Sequence, residues 1–301
     1  MIPVITARAK TTAEAYEKIL IQLSLNGVEI KTQYDKPGDP LSIDATANIT
    51  IDEPFTDPLI HKSFPGGIED LREYVYELQG LKDDWVKVKG DPKDTRWEYT
   101  YHERLAHWGT WMGQFMSSTG EMKKGRIKPS FGDDKLYVDQ IKAVIEKLSK
   151  DPFTRQAQMI TWVPYLDTKV YDPPCLQRIW FRLTEENGKW FLNTNISFRS
   201  NDAYGAFMMN CFGLTMFIQE QIIEPLKAIT KKEIYMGRMN WQADSFHIYG
   251  KDRKDFEGRF LGRIKNSTFQ ERVINFWDKD IQEYYHEVEK GILDKIKNYK
   301  T

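Results

Sequence analysis

The amino-acid sequence predicts a single α+β domain, residues 1–301, in which helices pack against a mainly antiparallel sheet. Three observations favour this class. Segments with strand character follow one another between residues 157 and 198, and the last two are joined by the hairpin signal Glu186-Asn187-Gly188-Lys189. Helical periodicity lies on both sides of these strands. No internal repeat and no convincing linker divides the chain.

Three helices are predicted in the first half of the chain, at 11–26, 67–80 and 136–149. The first begins with threonines that are good N-caps and continues with Ala, Tyr, Ile and Leu at helical spacing. The second is amphipathic and ends on Gly80, a residue type that commonly ends helices.

The segments between these helices have other characters. Residues 34–44 are rich in Pro, Gly and Asp and predict a loop, whereas the alternating residues 45–52 predict a strand. The polar, irregular stretches 81–100 and 116–135 are interpreted as surface insertions.

Strands are predicted in the second half at 157–163, 176–183 and 190–198. The apolar segment 203–224 contains no proline and predicts a buried helix. A further short strand is predicted at 245–250, and residues 267–301 predict a charged, helical C-terminal extension.

Composition narrows the function classes. Lys+Arg 43 against Asp+Glu 44 gives a net charge of -1, which argues against a nucleic-acid partner while allowing a small anionic ligand held by a few arginines. The two cysteines favour a reducing compartment over a disulfide framework. No secretory signal and no apolar run of membrane-spanning length is present, so we expect a cytoplasmic protein without a membrane partner.

Cys175 is the candidate nucleophile. It follows Pro173-Pro174 directly and precedes a predicted strand, so the prolines would present its thiol from a rigid turn. Arg155, Arg178 and Arg199 lie nearby in sequence, and guanidinium groups would stabilise a thiolate. The alternative reading is a buried core cysteine.

A second cluster of polar residues runs from a strand end into the apolar helix. Arg199 and Ser200 could hold a phosphate there. Asp202 and Asn210 could contact a ligand, or could be a helix cap and a satisfied buried amide. His247 shares a strand face with Tyr249, which favours ligand contact over a purely structural histidine.

These motifs, taken in order, resemble the family of thymidylate synthases and deoxycytidylate hydroxymethylases. The resemblance rests on Pro173-Pro174-Cys175, Arg199-Ser200-Asn201-Asp202, Asn210 and His247-Ile248-Tyr249, and it covers roughly residues 11–250. It implies a thymidylate synthase-like fold, and 5,10-methylenetetrahydrofolate as the co-substrate that donates a one-carbon unit to C5 of a pyrimidine nucleoside monophosphate.

The resemblance also implies a role for each matching residue. Cys175 would add to C6 of the pyrimidine, and Asn210 would read the edge of the base. Phosphate contacts would come from Arg199, Ser200 and Arg155, the last supplied across the interface of a homodimer. The remaining roles fall to His247 and Tyr249 at the sugar hydroxyl, Asp202 at the folate pterin, Tyr101 near C5, and Glu73 in proton transfer.

The choice of Glu73 depends on the family pattern, because Glu69 and Glu77 lie on neighbouring turns of the same predicted helix. Helical register alone does not choose among the three, and a solvated surface glutamate is the alternative reading of Glu73.

Three departures from the family pattern bear on function. Asp35-Lys36-Pro37-Gly38-Asp39-Pro40 occupies the place of the usual phosphate-binding loop, and Gln156 replaces a second arginine. The chain ends in Lys295-Ile296-Lys297-Asn298-Tyr299-Lys300-Thr301 rather than in a short apolar tail that would exclude water. Water capture, giving a 5-hydroxymethyl product, is therefore slightly favoured over hydride transfer, which gives a methyl product.

Two other classes of function remain open at this point. The altered phosphate loop is also compatible with a non-catalytic nucleotide-binding relative, and Cys175 could be a redox-sensing thiol. Asn210 favours uracil without excluding cytosine, because an amide can be turned to present either donor or acceptor.

Overall fold

The computed structural model describes residues 1–85, 97–108 and 138–299. The strands are Val4–Ala9 (β1), Val28–Ile30 (β2), Ser42–Ile51 (β3), Ile60–His61 (β4), Gln158–Ile160 (β5), Leu176–Glu186 (β6), Lys189–Asp202 (β7), Ile234–Ile248 (β8) and Val273–Ile274 (β9). The helices are Thr12–Asn26 (α1), Ile68–Leu78 (α2), Tyr101–Ala106 (α3), Gln140–Lys150 (α4), Pro164–Asp167 (α5), Phe207–Ile218 (α6), Glu224–Thr230 (α7), Arg253–Asp255 (α8), Gly262–Asn266 (α9), Phe269–Arg272 (α10) and Lys279–Tyr299 (α11).

One mixed sheet organises the chain. Its strand order is β1-β3-β8-β7-β6-β5. Strand β2 pairs with the first residues of β3, Ser42 to Asp44, beyond the part that pairs with β1. Within the described residues, β1 with β3 and β7 with β8 are parallel, and the other pairs of this sheet are antiparallel. The predicted α+β class is therefore observed, with a sheet that is mixed and mostly antiparallel.

Local signals read from the sequence account for several elements. The Thr11 hydroxyl accepts a hydrogen bond from the backbone N–H of Glu14 and caps α1. Asn187 and Gly188 both have positive φ, 53° and 79°, as a tight hairpin between β6 and β7 requires. Gly80 follows α2 with φ +88°, and a Cβ there would lie 2.4 Å from Nδ1 of His102.

Some predicted boundaries were wrong. The short strand expected at 245–250 is the end of the 15-residue β8. The first part of β8 was missed, although residues 238–244 alternate polar and apolar side chains as a half-buried strand does. The expected strand at 157–163 is shorter, as β5. The buried helix expected from 203 begins at Phe207, and a π-helical turn at Gln219–Ile223 joins α6 to α7.

The structure describes part of one predicted insertion and none of the other. The stretch 116–135 lies outside the described residues. In the described ends of 81–100, the side chains of Lys82, Trp85 and Thr100 are buried, so these ends pack inward.

The core lies between the sheet and the helices α1 and α6. Helix α6 is buried almost all round, and Phe207 packs its ring against Trp241 of β8 and Tyr16 of α1. The Trp241 indole N–H donates to Asn201 Oδ1 at 3.2 Å, which satisfies a polar group inside the core. Among the described helices, none combines the length and the apolar character that crossing a bilayer needs.

The C-terminal helix α11 packs on the outer side of α2. Ile292 and Ile296 join Tyr76 and Trp85 in a small apolar cluster separate from the main core. Beside this cluster, the Arg72 guanidinium lies over the rings of Tyr76 and Tyr285, at 4.5 and 4.4 Å from their centroids.

We expect Arg72→Ala to lower the free energy of unfolding by about 1–3 kcal/mol, because it removes two cation–π contacts and a half-buried ion pair to Glu289 at 3.2 Å. Urea denaturation measures the loss, with Arg178→Ala, an exposed arginine on β6, as the control. Equal stability of the two variants would show that Arg72 does not hold α11 on α2.

Candidate functional site

The strands β6, β7 and β8 bring most of the predicted site residues to one edge of the sheet. Because β7 runs antiparallel to β6 and parallel to β8, the start of β6 meets the ends of the other two. Leu176, next to Cys175, pairs with Phe198, and Asp202 pairs with His247. Residues distant in sequence therefore converge around the Cys175 thiol.

Arg199 fixes the loop that carries Cys175. Its Nε donates to the Pro174 carbonyl at 3.0 Å, its Nη2 donates to the Pro173 carbonyl, and its backbone N–H donates to the Cys175 carbonyl at 2.9 Å. The guanidinium also lies 3.7 Å from the Asp172 carboxylate. The residue expected to bind phosphate thus also holds the nucleophile loop in place.

The environment of the thiol differs from the expected cluster of arginines. Arg155 and Arg178 are exposed. Burial raises the pKa of the Cys175 thiol, the Arg199 guanidinium opposes that effect, and the Asp172 carboxylate adds to it. The expectation that arginines lower the pKa of this thiol was wrong in net direction, because burial outweighs the effect of the Arg199 guanidinium.

Phenol groups and an amide form the next part of the site. The Tyr74 hydroxyl donates to Asn210 Oδ1 at 2.7 Å, and the Tyr101 hydroxyl accepts from the backbone N–H of Leu176 at 3.2 Å. Burial raises the pKa of both hydroxyls, and a negative charge on Cys175 would raise it further. Both phenols are therefore neutral hydrogen-bond donors close to the nucleophile.

A hydrogen-bonded chain of three side chains orients His247. The Ser245 hydroxyl donates to Asp44 Oδ2 at 2.8 Å and lies 3.1 Å from Nδ1 of His247. Since the Ser245 O–H donates its hydrogen bond to Asp44, the Ser245 oxygen accepts from a protonated Nδ1 of His247. Burial lowers the pKa of His247, although the Asp202 and Asp44 carboxylates oppose this, so the ring is neutral with its lone pair on Nε2.

Nε2 of His247 is buried and has no hydrogen-bond partner among the described residues. It is an acceptor suited to a hydroxyl group. Asp44 and Ser245 were missed in the sequence, because 201 positions separate them and only the pairing of β3 with β8 brings them together.

Aromatic residues and a self-contained loop border His247. The Tyr249 ring lies 4.5 Å from the His247 ring, and Tyr34 contacts Tyr249 and Tyr171 at 6.1 and 5.7 Å between centroids. Asp35 accepts from the Thr32 backbone N–H at 2.5 Å, so this acidic residue folds its own loop. That interaction accounts for an acidic group where the family pattern has a phosphate-binding loop.

Three other predicted residues have distinct settings. Asp202 accepts from the backbone N–H groups of Tyr204 and Gly205 at 3.1 and 2.9 Å, and burial raises its pKa. Ser200 is half-buried at the end of β7. Arg155 has an exposed side chain, and nothing in the described part of the chain joins it to Cys175.

A cleft of about 340 Å³ lies beside these groups. It is lined by Tyr74, Glu77, Trp97, Glu98, Tyr99, Thr100, Tyr101, Asp172 and Met209. Glu73, the predicted proton-transfer residue, is not among the lining residues. Its carboxylate contacts Lys82 Nζ at 2.5 Å and Lys295 Nζ at 2.8 Å.

The wall that carries Tyr99 and Tyr101 is anchored through Asp83. That carboxylate accepts from the Thr100 hydroxyl at 2.5 Å and contacts Nδ1 of His102 at 2.6 Å. The donor atoms of Asp83, His102 and His107 all lie within 4.8 Å of one another, a separation that could admit a metal ion. Since Asp83 already bonds two of its neighbours, we interpret the group as an anchor for α3.

We expect Ser245→Ala to change the tautomer of His247, because the alanine cannot accept the proton of Nδ1. Ring ¹⁵N chemical shifts should show the Nδ1–H form in the native protein and a mixture with Nε2–H in the variant. Ser149→Ala, on α4, is the control. An unchanged tautomer in Ser245→Ala would contradict the hydrogen-bonded chain.

Comparison with known proteins agrees with this geometry. The family model described as thymidylate synthase matches residues 83–285. A "putative thymidylate synthase" from Methanosarcina barkeri is 31% identical over 245 residues, covering 81% of this chain and 89% of that protein. Proteins of the same description from Methanosarcina mazei and Methanocaldococcus jannaschii are 28% and 27% identical, covering 81% and 79% of this chain and 89% and 88% of their own length. The resemblance inferred from the motifs is thereby confirmed, and the chain belongs to the thymidylate synthase family.

Proposed function

We propose that the chain transfers a one-carbon unit from 5,10-methylenetetrahydrofolate to C5 of a pyrimidine nucleoside 5′-monophosphate. Family membership makes it a transferase of nucleotide metabolism. The observation that carries the proposal is the Cys175 thiol, held by Arg199 on a rigid loop beside two neutral phenols and the Asn210 amide. That set matches what covalent addition to a pyrimidine ring requires.

The proposed reaction begins with attack of the Cys175 sulfur on C6. The S–C6 bond forms, the electrons of the C5–C6 double bond move toward the ring carbonyl, and C5 becomes nucleophilic toward the one-carbon unit. A glutamate of α2 exchanges the proton that balances charge on the carbonyl, while Tyr101 lies near C5. Because burial raises the pKa of the thiol, the thiolate is a strong nucleophile once it forms.

Asn210 supports a uracil-type base. Its Oδ1 accepts from Tyr74, and its NH₂ group, for which no hydrogen bond is seen among the described residues, would be the donor offered to the base. A donor pairs with the carbonyl at position 4 of uracil, whereas cytosine presents an amino group there. This contact favours uracil over cytosine.

The other groups are proposed to hold the rest of the two substrates. Nε2 of His247 and the Tyr249 hydroxyl would contact a sugar hydroxyl. Arg199 and Ser200 would bind the phosphate, joined by Arg155 from the second subunit of a homodimer, and Asp202 would bind the pterin. The exposure of Arg155 supports a role outside its own subunit.

Two completions of the reaction are candidates. Hydride transfer from the folate gives a methyl group, and the names of the relatives favour it. Water capture gives a hydroxymethyl group, and the position of α11 favours it. This helix packs on α2 through Tyr76 and Glu73, and it contributes nothing to the described lining of the cleft.

We expect Cys175→Ser to slow release of tritium from a C5-tritiated pyrimidine monophosphate by about 1000-fold or more, since the hydroxyl is a much weaker nucleophile. Cys211→Ala, which alters the buried cysteine of α6, is the matched control and should retain release. Full release by Cys175→Ser would refute the covalent mechanism. Nucleotide binding with no release by the native protein would identify a non-catalytic relative.

Product analysis separates the two completions. Mass spectrometry of the nucleotide distinguishes a methyl from a hydroxymethyl adduct, and the accompanying pterin is dihydrofolate only when hydride is transferred. We expect uracil monophosphates to be converted in preference to cytosine monophosphates, because Asn210 presents a donor. Preferential conversion of cytosine substrates would show that this amide is turned in the complex.

A further inference from the structure

Helix α2 presents two glutamates to different neighbours. Glu73 faces α11 and the turn after α2, where Lys295 and Lys82 hold its carboxylate at 2.8 and 2.5 Å. Glu77, one turn later, lines the cleft with Tyr74, Tyr99 and Tyr101. The family pattern points to Glu73, whereas the cleft contains Glu77.

We propose that Glu77, and not Glu73, is the acid–base residue that exchanges a proton with the pyrimidine carbonyl. This inference rests on the proposed C5 transfer and assigns one step of it to a residue that the motif spacing does not select.

The position of Glu77 relative to the base-reading amide is the first argument. Tyr74 donates to Asn210 at 2.7 Å, and Glu77 follows Tyr74 by three positions, so the two share one face of α2. Met209, the neighbour of Asn210 on α6, lines the same cleft. A base whose edge meets Asn210 would therefore have Glu77 on the same side as its carbonyl.

The partners of the two carboxylates are the second argument. Glu73 is fixed between two ammonium groups, which compete for its lone pairs and disfavour its protonated form. Glu77 is half-buried, and no side chain in residues 1–85, 97–108 or 138–299 hydrogen-bonds its carboxyl. A carboxyl that must give up and regain a proton needs surroundings like those of Glu77, where none of the described cations holds the carboxylate.

The charges around Glu73 and Glu77 support the same assignment. Burial raises the pKa of Glu77 to about 7, with Lys82 opposing and Glu73 and Asp83 adding to the effect. Burial also opposes ionisation of Glu73, but the contacts with Lys295 and Lys82 outweigh it and lower that pKa. The other titratable groups around the cleft are Tyr74, Glu98, Tyr99, Tyr101 and Asp172.

The proton balance of the step is simple. The Cys175 thiol first loses its proton to solvent. As the thiolate sulfur bonds to C6, the Glu77 carboxylic acid gives its proton, directly or through one water, to the carbonyl oxygen at position 4. When the carbonyl re-forms, the proton returns to the Glu77 carboxylate. No oxidant or reductant takes part, and the C5 hydrogen leaves to solvent in a separate step.

The test compares Glu77→Gln with its matched control Glu73→Gln in the full-length protein. Tritium release from C5-labelled deoxyuridine monophosphate with methylenetetrahydrofolate is measured between about pH 5.5 and 9. Because the thiolate fraction of Cys175 rises with pH while the acid fraction of Glu77 falls above about pH 7, the native rate should rise to about pH 7 and then level off. We expect Glu77→Gln to slow release by about 100-fold or more and to let the rate continue rising above about pH 7. Glu73→Gln should stay within about 3-fold of the native rate and keep the levelling, at a somewhat lower pH because Glu73 raises the pKa of Glu77.

Binding and folding readouts make each outcome decisive. Nucleotide affinity and circular dichroism should be unchanged in Glu77→Gln, because glutamine has the same shape. A near-native rate in this variant, or a large loss confined to Glu73→Gln, would overturn the assignment while leaving the proposed function in place. Absence of release by the native protein would overturn both.

Discussion

The position of β7 between an antiparallel and a parallel neighbour is the constraint on which the site depends. This strand carries Arg199 to Asp202 at its end, and its pairing decides what lies opposite them. Backbone hydrogen bonds to β6 place Cys175 on one side, and those to β8 place His247 on the other. A slip of one residue in either ladder would turn the side chains of that strand to the opposite face. The relative positions of the site residues are therefore set by the register of the β6–β7 and β7–β8 pairs.

Burial pushes the groups around the cleft toward their neutral forms. It raises the pKa of Cys175, Tyr101 and Glu77, and it lowers that of His247. Arg199 places a positive charge next to Cys175, and the Asp172 carboxylate partly neutralises it. In a site this buried, charge that develops on a bound molecule would interact strongly with nearby dipoles. Among the described residues, the Tyr101 phenol lines the cleft, and the Tyr74 phenol acts through its hydrogen bond to Asn210.

Much of this arrangement could be predicted from sequence, because it depends on local signals. The threonine cap of α1, the Asn187-Gly188 hairpin and the proline pair before Cys175 are all contained within a few residues. The first part of β8 was also readable in principle, because residues 238–244 alternate polar and apolar side chains. What the sequence does not contain is its pairing, with β3 on one side and β7 on the other.

The site residues that escaped prediction depend on contacts distant in sequence. Asp44 reaches Ser245 only across the β3–β8 ladder. The proposed role of Glu77 in place of Glu73 likewise depends on a distant contact, because Lys295, on the last helix, pairs with the Glu73 carboxylate. Motif spacing gives the positions of residues along a helix. Which face of the helix is buried, and against what, is decided by the elements that pack on it.

The docking of α11 on α2 has a consequence for how this protein can change over time. Helix α2 is a shared wall, with the cleft on one side and the C-terminal helix on the other. Any mutation in α11 that rotates or shifts this wall also repositions Tyr74 and Glu77. Natural drift in the last helix is therefore constrained by a cleft that its described residues do not line, and the two surfaces of α2 must evolve together.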